Sequence, residues 1–269
     1  VFSAEWLALR EPADRKARSR TLTAEAVSHA SEENALSALD LASGTGANAR
    51  YVAEFIHVDQ RWLLADHDPL LLAAVEPCMS SWPHNVNAEF STRNVDLRRL
   101  DDPSLFAGRA LVTASALLDL VSEAWIATLA DRCREAVATV LFALTYDGRM
   151  RADPPEPEDE LIRALVNRHQ QTDKGFGVAA GPNAVGVASR AFSDRGYQVR
   201  RARSEWQLGR AEAPLQRELI QGWAAAASSI SVENSSAIDS WRRRRLEHVD
   251  RDRSTLVVGH EDLAGWLRG

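Results

Sequence analysis

The chain holds 269 residues, 45% of them hydrophobic, enough for one substantial core or for a core domain carrying sizeable insertions. Its 38 acidic against 32 basic residues give a formal net charge of -6, which argues against a general nucleic-acid or membrane-surface binder and favours small substrates. The two cysteines, Cys78 and Cys133, lie far apart without CxxC spacing, so neither a disulfide framework nor a zinc cluster is expected, and a reducing cytoplasm fits.

Residues 4–33 read as helical and polar, with Trp6, Leu7, Leu9, Leu22, Ala26 and Val27 forming a stripe interrupted at Pro12. The N-terminal VFSAEWLALREPADRKARSR carries charge throughout, and no later run approaches the roughly 20 apolar residues of a membrane span, so no leader and no membrane are expected. From there strands and helices alternate. ALSALDLA is a strand, ARYVAEFI a helix, RWLLADHD a strand, PLLLAAVEPCMSSW a helix and NAEFSTRNVDL a third strand. ALVTASAL, then the helix SEAWIATLADRCREA and the β-branched, aromatic AVATVLFALTY, add a fourth and a fifth strand. DGRMRADPPEPEDE has the density of proline and acid expected of a loop, leading to a helix near Leu161–His169. A helix over 182–196 feeds one strand, YQVRRARSEWQL; helices fill 214–248, and STLVVGHEDLAGWL supplies the last strand. Strands alternating with helices imply a largely parallel sheet covered on both faces.

The chemistry-bearing stretch is ALDLASGTGANARYVAEF, residues 38–55. A strand, a glycine-rich turn and a helix start make a seat for a nucleotide, because glycine lets a ligand approach the main chain. Gly44, Thr45, Gly46, Ala47, Asn48 and Ala49 satisfy the dinucleotide pattern G-x-G-x-x-G/A, with Asp66 at the spacing that binds ribose hydroxyls. That permits an NAD(P)-dependent oxidoreductase. Asp40, just before the glycines, disfavours a pyrophosphate and suits a cationic ligand, and no evident Tyr-x-x-x-Lys pair supports hydride chemistry. A glycine turn after a strand is also often only a tight turn, a reading weakened here by acids at three successive strand ends.

With those residues in place, the chain resembles the class I S-adenosylmethionine-dependent methyltransferases, whose first strand runs into an acidic-x-Gly-x-Gly-x-Gly loop. The matching stretch is Asp40, Leu41, Ala42, Ser43, Gly44, Thr45, Gly46, with Ala42 standing where the family has its first glycine. The resemblance implies a three-layer, Rossmann-like α/β fold: a seven-stranded, mostly parallel sheet with a C-terminal antiparallel strand. An N-terminal helical segment, 1–35, would precede a methyltransferase domain, 36–269, with helical inserts at about 150–182 and 212–250. The resemblance also implies S-adenosyl-L-methionine as cofactor. Asp66 would hold the ribose hydroxyls with His67 beside the adenosine, Asp96 and the Leu97 amide would meet the adenine, and Ser115 to Asp119 would line the cleft towards the acceptor. His67 reads equally well as a loop histidine, and Asp119 as a cap of the following helix.

Methyl transfer needs orientation, a dry cleft and, for hydroxyl or ammonium acceptors, a place for a proton. Tyr146 and Asp147 close the fifth strand; His169, Gln170, Asp173 and Lys174 crowd one segment before Gly175 and Gly177. His169 is the first choice for a general base and Tyr146 for orienting the acceptor, with Asp119, Asp147, Asp173 and Lys174 as acceptor-binding residues. The alternative for this segment is a solvated helix end. The Arg242–Arg245 run and RRAR at 200–203 would suit RNA locally, but the global charge opposes a nucleic-acid partner. The expectation is therefore a cytoplasmic enzyme that methylates oxygen or nitrogen of a small-molecule acceptor. A non-catalytic binder of the same ligand is the third reading; no metal cluster is evident, and an oligomer is possible.

Overall fold

A computed structural model describes residues 3–31, 35–78 and 88–267. Two helices come first, α1 (Ala4–Ala17) and α2 (Arg20–Ala30), capped by Ser3 and Ser19, whose hydroxyls accept from the amides of Trp6 and Leu22. The stripe's expected break at Pro12 is not a break in the helix, which runs through that residue and ends at Ala17. Then follow β1 (Ala35–Leu41), α3 (Ala47–Ala53), β2 (Asp59–Asp66), α4 (Pro69–Ala73), α5 (Val75–Cys78), β3 (Ala88–Asn94) and β4 (Leu111–Ser115). The second half comprises α6 (Glu123–Glu135), β5 (Thr139–Asp153), α7 (Asp159–Gln170), α8 (Ala184–Ser193), β6 (Tyr197–Arg203), β7 (Trp206–Leu208), α9 (Ala213–Ile230), α10 (Ser235–Asp250) and β8 (Thr255–Leu267). The last part of the expected second helix, 79–82, lies outside the described residues.

The sheet has the order β3-β2-β1-β4-β5-β8-β6, with β7 pairing β8. The first five strands are parallel, and β8 enters antiparallel between β5 and β6. There are eight strands rather than seven, because the expected single strand over 197–208 breaks at Ser204–Glu205. β6 pairs with the second half of β8 and β7 with its first half. The fifth strand also runs on to Asp153, where a loop was expected after Tyr146. It does so by bulging: register shifts fall between Phe142 and Thr145 and between Tyr146 and Met150, at the positive-φ residues Leu144 and Gly148. The polar composition of that extension reflects a strand with one solvated face.

Alternation along β1 sets up the layers. Leu39 and Leu41 face a core shared with α6 and α8, while Leu36 and Ala38 face a second core shared with α2 and α3. A third core joins α7, α9 and α10 to Tyr146, Trp206 and the first half of β8. Among the described residues no helix is long and apolar enough to cross a membrane.

Candidate functional site

β1 ends at Leu41, and the five residues before α3 turn sharply. Ala42, Gly44 and Gly46 all have positive φ, at 52, 53 and 80°. Glycine adopts that conformation freely, whereas for Ala42 it costs about 1–2 kcal/mol. The loop is tied down from β2: the Ser43 amide donates to the Ala65 carbonyl at 3.1 Å, and the Gly44 amide donates to Asp66 Oδ2 at 2.8 Å. Asp66 Oδ1 accepts from the Asp68 amide at 2.9 Å. Each oxygen of this buried carboxylate keeps a lone pair for a further donor.

Asp40 lies beneath the loop, fully buried. Asn48 Nδ2 donates to Asp40 Oδ1 at 2.6 Å and to Thr113 Oγ1 at 3.1 Å, while Asn48 Oδ1 accepts from Arg18 Nη1 at 2.6 Å. Burial lifts the Asp40 carboxyl from its ordinary 3.8 to about 7, against the opposing pull of the Asn48 hydrogen bond and of Arg18. The charge that the sequence argument set against a pyrophosphate is therefore only partly developed near neutrality, and it reaches the loop through Asn48. A carboxyl raised in the folded state adds stability that is full below pH 4 and lost as pH rises through about 7. Asp40→Asn keeps an acceptor for Asn48, so it should match the wild-type denaturant midpoint at pH 4 and exceed it at pH 8. A midpoint difference unchanged between those pH values would show that Asp40 titrates normally.

Above the loop sits an enclosed cavity of about 70 Å³, at the carboxyl ends of β1, β4 and β5. Its walls include Ala42, Ser43, Gly44, Asn48, Ser115, Ala116 and Leu144. Three of these are non-glycine residues in the left-handed region, Ala42, Ala116 (φ 53°) and Leu144 (φ 54°), a concentration of backbone strain that characterises ligand sites. The roof is α1, which contributes Leu7, Arg10, Glu11, Asp14 and Arg15, and the residue after it, Arg18. Leu7 packs so closely on Gly44 that a β-carbon there would come within 2.8 Å of Leu7 Cδ1. Polar ties hold the roof: Glu11 to Arg50 at 2.8 Å, Arg15 to Glu54, and Trp206 Nε1 donating to Asp14 at 3.0 Å. Of the α1 residues only Ala13 is buried.

The remaining candidates fall into three groups. Asp66, His67, Asp96 and Leu97 lie along the ends of β2 and β3: His67 is exposed with Nδ1 3.3 Å from Asp66 Oδ1, and Asp96 is held down to about 2 by the Arg98 guanidinium. Leu97 is buried, its carbonyl accepting from Trp125 Nε1 at 2.7 Å. Asp119 and Tyr146 are buried outside the cavity lining. The cap of α6 is Ser122, not Asp119, which leaves Asp119 buried with Oδ1 unpaired and its carboxyl raised by burial to about 6. The Tyr146 hydroxyl donates to Asn167 Oδ1 at 2.8 Å, and burial pushes it up. Asp147 is engaged by the Arg149 amide and guanidinium. The third group, His169, Asp173 and Lys174, does not line the cavity. Lys174 Nζ lies 3.2 Å from His169 Nδ1, and partial burial with the lysine charge lowers the imidazole; Asp173 Oδ1 accepts from the Gly175 amide at 2.7 Å.

No family model matches the chain, and no curated protein matches it in sequence. Solved structures do match. A cyclopropane synthase from Mycobacterium tuberculosis is 10% identical, with 98% of this chain and 94% of that one covered, at a TM-score of 0.50. The YcgJ protein of Bacillus subtilis is 12% identical over 93% of this chain and 100% of its own, at 0.49. A phosphoethanolamine N-methyltransferase of Haemonchus contortus is 14% identical over 91% of this chain and 52% of its own, at 0.42. The first of these, with the sheet order above, decides the fold. This is the Rossmann-like methyltransferase fold.

Within the methyltransferase fold, several site residues escaped the sequence reading. Arg10, Asp14 and Arg18 lie in the segment read only as helical and polar, yet they roof the cavity. Asn48 was read only as a spacer of the glycine pattern, although it joins Asp40, Thr113 and Arg18. Asp262 looked like an ordinary strand residue; it is fully buried, accepting from the Leu144 amide at 2.8 Å and the Ser19 amide at 2.9 Å. An acid inside the apolar-rich last strand was the one available signal for it.

Proposed function

We propose that the protein is an S-adenosylmethionine-dependent methyltransferase acting on a hydroxyl or amine of a small-molecule acceptor. The observation that carries this is the antiparallel β8 between β5 and β6, where a dinucleotide-binding sheet continues in parallel. The cavity at the ends of β1 and β4 lies at the topological switch point, where open α/β sheets hold their ligands. The residues present fit the ligand: Asp66 has acceptor capacity for ribose hydroxyls, Asp96 and Leu97 lie one strand further out for the base, and the glycine loop lets the main chain close in.

Bound cofactor would supply a methyl group already activated on a sulfonium. The protein then orients the acceptor and excludes water, for which the α1 roof and the buried strand ends are suited. Asp119, though outside the cavity lining, is the group whose chemistry best suits taking a proton. It is buried, its Oδ1 is unpaired, and at about 6 its carboxyl is matched to work near neutrality. The lysine beside His169, which opposes protonation of the imidazole, makes that histidine the weaker choice. Calorimetric titration with S-adenosylmethionine, S-adenosylhomocysteine and NADH tests the reading. Micromolar binding of both adenosyl ligands and none of NADH is expected; binding of NADH alone would replace methyl transfer with hydride chemistry.

A further inference from the structure

Arg18 occupies the elbow between α1 and α2, in an extended conformation that turns its side chain inward. It is only 5% exposed. Its guanidinium stacks over the Tyr51 ring at 4.2 Å and donates through Nη1 to Asn48, but Nε and Nη2 have no partner. An arginine so deeply buried is ordinarily paired with a carboxylate, since an uncompensated charge in the interior is costly. Among the described residues the other buried arginines follow that rule, Arg50 with Glu11 and Arg245 with Asp159.

No protein carboxylate completes Arg18. Asp14 is taken by Arg10 and the Trp206 indole, Asp262 by the amides of Ser19 and Leu144, and Asp40 by Asn48. The free edge of the guanidinium belongs to a residue that lines the cavity, as do Ser43 and Tyr51, whose hydroxyls are also buried without partners. Across the Asn48 amide, Asp40 Oδ2 is a further unpaired buried atom. A cationic fork lining the cavity beside two unpartnered hydroxyls makes a receptor for a carboxylate, while Asp40 stays outside the lining and supports the site through Asn48. The cavity's volume of about 70 Å³ matches that small end of a ligand rather than a nucleoside.

We propose that Arg18 binds the α-carboxylate of the amino-acid half of the adenosyl ligand, so that the α1–α2 elbow is part of the cofactor site. This rests on the adenosyl reading above. The test is calorimetry on the full chain with two ligands, S-adenosylhomocysteine and its decarboxylated analogue, which keeps the thioether and the amine. Wild type should prefer S-adenosylhomocysteine by about 10- to 100-fold, the worth of a charge-assisted pair. Arg18→Gln should bind both ligands alike, near the wild-type affinity for the analogue. Equal wild-type affinity for the two ligands would overturn the proposal, and so would an equal loss for both in Arg18→Gln. Where the substitution impairs folding, equal wild-type affinity for the two ligands still overturns the proposal. Wild type binding neither ligand would remove the adenosyl reading and this proposal together, an outcome distinct from both of the others.

Discussion

Asp66→Ala is expected to raise the Kd for S-adenosylhomocysteine by about 100-fold or more. The proposed ribose contacts supply part of that loss, since hydrogen bonds to a carboxylate are the strong ones. The rest comes from the glycine loop: the Gly44 amide loses the carboxylate that fixes it from β2, and the Asp68 amide loses its partner as well. Asp66→Asn separates the two contributions. It keeps an acceptor for one amide while removing the charge, so it should weaken binding by an intermediate factor. Calorimetry on the three proteins checks this. Retention of wild-type affinity in Asp66→Ala would move the ribose elsewhere in the cleft.

Arg245→Met is expected to cause the largest loss of stability. Arg245 is fully buried on α10; it donates to Asp159 at the start of α7 and, through Nη1, to the Pro154 carbonyl at 2.5 Å. Asp159 also accepts from Trp241 Nε1 at 2.8 Å, so one carboxylate gathers both the arginine and the tryptophan of α10. Removing one member of a buried pair costs about 3–5 kcal/mol, and the lower end applies because Asp159 remains partly exposed to water. For a chain of this size about 3 kcal/mol corresponds to a Tm lower by roughly 6–12 °C. A melting curve within a degree or two of wild type would show that the α7 and α10 helices are held by their apolar contacts alone.

Much of the fold was legible because its signals are local. The βα alternation from Ala35 to Glu135 follows from apolar runs punctuated by glycine, proline and helix caps; its strands lie where expected, while the second helix is divided at Ala74 into Pro69–Ala73 and Val75–Cys78. The misreadings share a physical cause. Asp147–Asp153 was taken for a loop because its composition is polar, but a strand pairing with β8 on one edge needs only backbone groups, and its side chains can stay wet. Tyr197–Leu208 was taken for one strand because its pattern is continuous, whereas the change of pairing along β8 is a property of the partner. The site was legible to the same degree. Asp40, the glycines and Asp66 were singled out through their spacing along the chain. Arg18, Asn48 and Asp262 were not, since each matters through a contact at least thirty positions away.

The roof over the glycine loop has a kinetic consequence. With Leu7 seated on Gly44, the fourteen residues of α1 narrow the way into the cavity, so undocking of that helix would widen access to it. That helix has a single fully buried side chain; partly buried Trp6, Leu9 and Ala17 and a few ion pairs complete its docking, so its detachment would be a local opening short of global unfolding. For any ligand that enters by that opening, each ~1.4 kcal/mol of added docking strength slows access tenfold. Salt, which screens the Arg15–Glu54 tie, should therefore loosen the roof without touching any group that meets the reacting atoms.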